Sequence, residues 1–400
     1  MTIRTKESIW TKKCKSIKAT KETIAFIKNL FSDRADFIPL HEPYFGGKEK
    51  IYLNECIEST FVSSVGPFVN QFEQQLAKYC GAKKAVAVVN GTAALHIGLK
   101  VLGVGNNDEV ITQSLTFVAT ANAISYCGAK PVFIDVEKGS MGMSPSALRL
   151  FLETNGEKRE NECYNKKTGN KISACLPMHT YGFAADIEQI CEIARQWNIP
   201  VIEDAAEAIG GSFKEKSLGT FGDIGVFSFN GNKIITAGGG GALITNNTEY
   251  AERAKHLTTT AKTYHQYEFL HDQIGYNYRM PNLNAALLCA QLEGIEEILS
   301  NKRRLAEEYK NYFDSIGVPF RWESPNSIAN FWLMCIETET KLDRDSFLKE
   351  SNKQGIMTRP TWQLMHKLPM YKECIKDNQI NAQYLAERII NLPSSYRTNA

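Results

Sequence analysis

A single lysine, Lys233, stands where an apolar strand-like run (224–229) gives way to a polar turn, with Ile234 and Ile235 after it and four glycines at 238–241. Burying a charged amine among such neighbours is costly, and the neutral form is a nucleophile able to form a Schiff base with an aldehyde. Alone, a loop lysine is more often simply solvated, so the reading depends on what accompanies it. Asp204 closes a second apolar run and precedes Ala205 and Ala206. A carboxylate among small apolar residues needs donors or a cation; it either caps the next helix or pairs with a protonated ring nitrogen. Gly91-Thr92-Ala93-Ala94 follows a strand-like segment and opens a helical one. Free backbone N–H groups and the positive dipole end there suit a phosphate, although any βα turn can carry a glycine. Phe117 begins another helical segment and could pack in the core or lie flat on a ring. His179, at a further strand end, reads equally well as a structural or a site residue. Lys233, Asp204, the Thr92 turn and Phe117 together supply what pyridoxal phosphate requires: a partner for its aldehyde, its ring nitrogen, its phosphate and its ring plane.

The elements that must position these groups alternate. Strand patterns at 85–89, 109–112, 131–135, 172–178 and 200–202 are interleaved with helical patterns at 92–102, 116–126 and 187–197, and Ser144-Pro145 opens a further helix. This βα rhythm predicts an α/β fold, a mainly parallel central sheet flanked by helices. In such sheets ligands gather at the carboxyl ends of strands. Asn90-Gly91-Thr92, Thr116-Phe117, His179-Thr180, Asp204 and Ser228 all fall at or just after predicted strand ends. Residues 155–171, dense in charge and asparagine, read as an exposed loop, and 262–278 as an irregular aromatic stretch. Long helices near 282–299 and 302–316 lead to a remainder with two or three strands and helices near 344–354 and 382–390. The division expected is a basic, solvated N-terminal extension (1–38), a large cofactor-binding domain (39–281), and connecting helices with a smaller α/β C-terminal domain (282–400).

Composition excludes several classes. In 400 residues, 46 basic and 44 acidic side chains leave a formal charge of +2, which gives no reason to expect nucleic acid or an acidic membrane surface as partner. No stretch of about 20 apolar residues could span a bilayer. The ten cysteines are scattered, without a CxxC pair, which fits a reduced, cytoplasmic protein with no metal site. The Gly91 turn lacks the GKS/T ending of a nucleotide triphosphate loop. It also lacks GxGxxG, which weighs against a nicotinamide-dependent oxidoreductase on the same kind of sheet.

Gly91-Thr92-Ala93-Ala94-Leu95-His96, Thr116-Phe117-Val118-Ala119-Thr120-Ala121, Glu203-Asp204-Ala205-Ala206 and Ser228-Phe229-Asn230-Gly231-Asn232-Lys233 occur in an order that resembles the nucleotide-sugar aminotransferases, the DegT/StrS-type branch of the fold-type I pyridoxal-phosphate enzymes. The resemblance runs from about residue 39 to the end. Ile38-Pro39-Leu40-His41-Glu42-Pro43, Val62-Ser63-Ser64-Val65-Gly66 and Arg359-Pro360-Thr361-Trp362 narrow it to the enzymes that aminate C4 of UDP-4-keto-6-deoxy-N-acetylhexosamines. The resemblance implies that Lys233 holds the cofactor aldehyde and then moves the proton, Asp204 pairs with the ring nitrogen and Phe117 stacks on the ring. It implies that Thr92, the Ala93 N–H and Ser228 hold the phosphate, and that Asn277 reaches the phosphate bound by a neighbouring subunit. A homodimer with composite sites follows, with a UDP-linked 4-keto-6-deoxy-N-acetylglucosamine and L-glutamate as substrates. The alternative is 3-amination, or 4-amination of a GDP- or TDP-linked keto sugar. One departure stands out: relatives commonly carry glutamine three residues after the aspartate, where this chain has Glu207, which would repel a phenolate unless protonated or turned away. Arg359, Trp362 and His366 are candidates for the sugar pocket or for packing of the smaller domain.

Overall fold

Seven short strands make the central sheet, and each is buried along most of its length, as strands covered on both faces are. They are β1 (Lys84–Val88), β2 (Glu109–Gln113), β3 (Lys130–Ile134), β4 (Ile172–Leu176), β5 (Ile202–Asp204), β6 (Ile224–Ser228) and β7 (Gly241–Thr245). The computed structural model describes residues 20–34 and 36–398. The strand order is β3-β2-β4-β5-β6-β7-β1; single parallel bridges, Cys175 to Val201 and Met178 to Asp204, carry the sheet across from β4 to β5. All neighbours are parallel except β7, which runs antiparallel to both β6 and β1. The sheet is therefore mainly parallel, and β1, β2, β4, β5 and β6 point their carboxyl ends to one edge.

Helices α1 (Thr20–Leu30), α2 (Glu49–Glu58) and α3 (Pro67–Cys80) precede the sheet. Helices α4 (Gly91–Val101), α5 (Val118–Tyr126), α6 (Pro145–Asn155), α7 (Ile187–Gln196) and α8 (Thr248–Thr258) are threaded between or after its strands. Ser144 caps α6 by accepting the Ala147 N–H, with Pro145 at the first helical position, as the Ser-Pro pair predicts. Next come α9 (Asn282–Glu293), α10 (Ile295–Ile316), α11 (Lys341–Lys353) and α12 (Ile380–Ala386). A second sheet of β8 (Met334–Glu337), β9 (Arg359–Pro360) and β10 (Ile389–Leu392) has β10 in the middle, antiparallel to both others. No helix among the described residues is long and apolar enough to cross a membrane.

Four expectations shift. The solvated extension lies outside the described residues as far as position 19; from Thr20 onward it is a helix with one exposed face and one docked face. Helix α1 buries Ile24 and Ile27 and is followed by buried Phe31, and Phe26 stacks on Tyr312 of α10 at 3.9 Å. Apolar side chains at helical spacing gave that face something to bury, which the lysine count obscured. The charged insert is not a loop but a hairpin of Gly156–Arg159 with Glu162–Asn165, turning at Glu160 with φ 54°. Its inner residues Cys163 and Asn165 are buried, and Asn165 donates to Glu109 at 2.7 Å. The aromatic stretch 262–278 contains a two-residue-per-strand hairpin and keeps Tyr264, Tyr267, Phe269 and Ile274 exposed. The helix expected over 382–390 ends at Ala386, because Ile389 and Ile390 are recruited as a strand beside β8.

Candidate active site

Strands β5 and β6 lie side by side, with Asp204 opposite Val226, and so bring the Asp204 turn next to the turn that follows Ser228. In that second turn the Lys233 N–H donates to Asn230 O, and the Ala237 N–H returns to Phe229 O. The Lys233 side chain is 12% exposed; its Nζ lies 3.2 Å from Glu207 Oε1 and 3.9 Å from the centre of the Trp332 ring. Glu207 is fully enclosed. Its Oε2 accepts the Tyr181 N–H at 2.9 Å, yet burial dominates, and it pushes the carboxyl up to about 7 despite the nearby ammonium of Lys233. Tyr181 delivers that N–H from a left-handed backbone, φ 59°, which side-chain-bearing residues seldom adopt.

Asp204 is buried as well. The Thr120 hydroxyl donates to its Oδ2 at 2.7 Å and the Ala206 N–H to its Oδ1 at 3.2 Å. Burial raises its carboxyl above the ordinary range, with those two donors opposing. Among the described residues no cationic side chain forms an ion pair with it. His179, which the sequence left balanced, is structural: fully buried, it pairs its Nε2 with Glu203 at 3.0 Å and accepts the Ala185 N–H at Nδ1. Glu203 in turn accepts the N–H groups of Gly219, Phe221 and Gly222, which ties the loop before β6 to the end of β5.

The phosphate turn is packed against β6. A Cβ added at Gly91 would come within 2.8 Å of Ser228 Cβ, so the start of α4 and the Ser228 hydroxyl share one small corner. Asn90 caps this helix, its Oδ1 accepting the Ala93 N–H at 2.8 Å, so that N–H, expected to face a phosphate, already has a partner in the chain. Phe117 immediately precedes α5 and is 48% exposed, not buried in the core; its ring meets Trp362 edge-on at 6.1 Å. Asn277 is exposed, on the segment that pairs with the end of β1 through Val88 and Arg279, and its Oδ1 is within 3.4 Å of the Arg279 guanidinium.

Beside Trp332 a cavity of about 430 Å³ is lined by His41, Tyr181, Arg359, Trp362 and Asn391, among others. Arg359 and Trp362 thus reach a cavity. His366 does not line it; its Nδ1 is held by the Ser114 hydroxyl at 2.7 Å, at the end of β2. Sequence reasoning missed Thr120, Tyr181 and Trp332. Only Thr120 carried a signal, lying one helical turn beyond Phe117 in the same motif.

These residues fit pyridoxal phosphate by their own chemistry. Asp204 is a buried acid lacking a cation, the Gly91–Ser228 corner admits no side chain on the glycine, Phe117 holds an accessible ring at a strand end, and Lys233 is an enclosed amine. The model for the DegT/DnrJ/EryC1/StrS aminotransferase family matches residues 43–400. A GDP-perosamine synthase of Escherichia coli O157:H7 is 40% identical over 358 residues, covering 90% of this chain and 93% of that one. A GDP-perosamine synthase of Vibrio cholerae is 35% identical over 360 residues, covering 89% and 94%. Among solved structures, a DegT DnrJ EryC1 StrS aminotransferase from Brucella abortus superposes with a TM-score of 0.80 at 28% identity, over 87% of this chain and 90% of that one.

Proposed function

Since the chain belongs to the DegT/DnrJ/EryC1/StrS aminotransferase family and is a pyridoxal-phosphate-dependent enzyme, we propose that it transfers an amine from L-glutamate to C4 of a nucleotide-linked 4-keto-6-deoxy sugar, with GDP as the nucleotide. The observation that carries the reaction type is the enclosed Lys233 amine 3.2 Å from Glu207, one strand away from buried Asp204. For the nucleotide, the support is the 40% and 35% identity to enzymes named GDP-perosamine synthases. These favour the GDP-linked alternative over the UDP-linked N-acetyl sugar that the sequence motifs first suggested.

When bound, pyridoxal phosphate supplies an aldehyde carbon to carry the amine and a ring that accepts electrons. The chain does the rest. Lys233 Nζ would hold the aldehyde carbon, and as a free amine it would carry the proton that amine transfer moves. Asp204, kept in place by Thr120 and Ala206, would accept the ring N–H. Phe117 would fix the ring plane, and Thr92, Ala93 and Ser228 would receive the phosphate, the Ala93 N–H being shared with or released by Asn90. Glu207, next to Lys233, would stand by the ring hydroxyl, in the position relatives give to glutamine. The enzyme works as a homodimer with composite sites. Exposed Ile57, Phe61, Val65, Tyr264, Tyr267, Phe269 and Ile274 offer apolar surface for a second copy, and Asn277 lies on the same aromatic stretch, poised to reach the partner's phosphate. Large domain 39–281 would then hold the cofactor, and 282–400 would close over the substrate.

The test is a panel of GDP-, UDP- and TDP-linked 4-keto-6-deoxy sugars with glutamate, with the amino product identified by mass spectrometry and NMR and the Lys233→Ala variant as control. Fastest turnover of the GDP sugar to a 4-amino product is expected. Preference for the UDP N-acetyl sugar, or amination at C3, would overturn the substrate reading, and steady turnover by Lys233→Ala would overturn the role of the lysine.

A further inference from the structure

Residues 329–333, between the two sheets in sequence, form a short strap tied down at every step. The Asn330 amide donates to Glu207 O at 2.8 Å and to Ile209 O at 2.9 Å, while its Oδ1 accepts the Trp332 N–H at 2.9 Å. Phe331 is buried and takes φ 50°, a left-handed conformation that only strong surroundings impose on a phenylalanine. The carbonyl of Trp332 accepts from the Ser394 hydroxyl at 2.8 Å and from Lys302 Nζ at 3.3 Å. Its indole, 4% exposed, donates Nε1–H to Asn232 O at 2.6 Å and turns its face to Lys233 Nζ at 3.9 Å.

The amine therefore has a carboxylate on one side and an aromatic face on another, and one strap holds both. Asn330 grips the backbone of Glu207, and Trp332 grips the turn that carries Lys233. Neither partner is a neighbour of Lys233 in the sequence; both are brought to it by the fold. An ammonium over an indole face is attracted by the ring quadrupole, most strongly where water is excluded.

We propose that Trp332 is a positioning residue for Lys233: its ring face covers the amine beside Glu207, and its indole N–H anchors the turn that aims it. With its face over Nζ, the indole also limits how freely the amine is approached. Four ionisable groups face this amine from the packed elements. Glu207 is in contact and Asp204 lies at the end of β5. His41 precedes α2, with burial and the charges of Lys302 and Lys233 holding its imidazole well below the usual range. Lys302 on α10 is reached through the Trp332 carbonyl, and burial likewise holds it low. The inference rests on Lys233 being the reactive amine and is independent of the sugar or nucleotide.

The test uses the full chain without cofactor. Lys233 is labelled with trace acetic anhydride against a free reference amine from pH 6 to 11, and the modified peptide is quantified by mass spectrometry. The plateau of labelling at high pH reports access to the amine. For Trp332→Leu, which removes both the ring face and the anchor, the plateau rises severalfold. Trp332→Phe keeps a ring face and loses only the indole N–H, so its plateau rises by less. A Trp332→Leu plateau equal to wild type overturns the proposal, as does a Trp332→Phe plateau as high as that of leucine. Circular dichroism establishes folding, and Trp332→Met replaces leucine if that variant is unfolded. Loss of cofactor absorbance in Lys233→Ala is read separately, so failure of the indole's role and failure of the lysine's role give different results.

Discussion

Replacing Glu207 by glutamine removes a titratable group from the interior and leaves its shape. In the folded chain burial raises this carboxyl from 4.5 to about 7. The folded value lies above the unfolded one, so folding favours the protonated acid. The stability this contributes is complete below about pH 4.5 and is lost as pH rises through about 7. A rise of that size corresponds to roughly 3 kcal/mol, an upper bound for the cost of carrying the ionised acid at pH 8 and above. Glutamine keeps a carbonyl to accept the Tyr181 N–H at 2.9 Å and does not titrate. Urea denaturation of cofactor-free wild type and Glu207→Gln, at one fixed protein concentration because a dimer's stability depends on it, is the assay. The variant should gain on wild type progressively between pH 5 and 8.5, by about 2–3 kcal/mol in all. A stability difference that stays flat across this range would refute the reasoning, since it would mean that Glu207 keeps one protonation state throughout.

Two further substitutions probe different parts of the argument. Thr120→Val deletes the hydroxyl that donates to Asp204 at 2.7 Å; a hydrogen bond to a charged group contributes about 1.5–3 kcal/mol. Affinity for pyridoxal phosphate, measured by equilibrium dialysis, should fall roughly 10- to 100-fold, and an unchanged affinity would remove Thr120 from the site. Ile27→Ala empties a fully buried position on α1 and should cost about 2–4 kcal/mol of unfolding free energy, whereas a change below about 0.5 kcal/mol would mean that α1 is not docked in solution.

The framework of the site could be read from the chain because its signals are local. Strand and helix periodicities span five to a dozen residues, and the turn residues that end strands are neighbours of the strands they end. Asn90 to Thr92, Phe117, Asp204 and Ser228 were all found in this way, since a parallel sheet sends the carboxyl ends of its strands to one edge. Local signals also misled. Lysine density disguised the docking of α1, whose buried face holds Thr23, Ile24 and Ile27 with Phe31 beyond it, and the charge of 155–171 disguised a hairpin whose inward residues are few. Pairing with β8 turned Ile389 and Ile390 into a strand, which no window around them could have revealed.

What the sequence by itself determined is which groups stand at the strand ends, and therefore the kind of cofactor the edge could hold. Tertiary structure decided the company they keep. Trp332 reaches the turn of Lys233 across 100 positions, and Asn330 reaches Glu207 across 123. Such contacts depend on how the C-terminal elements pack onto the central sheet, and nothing in the spacing of residues encodes that distance. The charge states follow the same division. A carboxyl near 7 at Glu207 comes from complete enclosure by residues remote in sequence, because desolvation belongs to the packed interior and not to the segment that carries the acid. The sequence marked Lys233 as an amine that could act; only the fold placed an acid and an indole beside it.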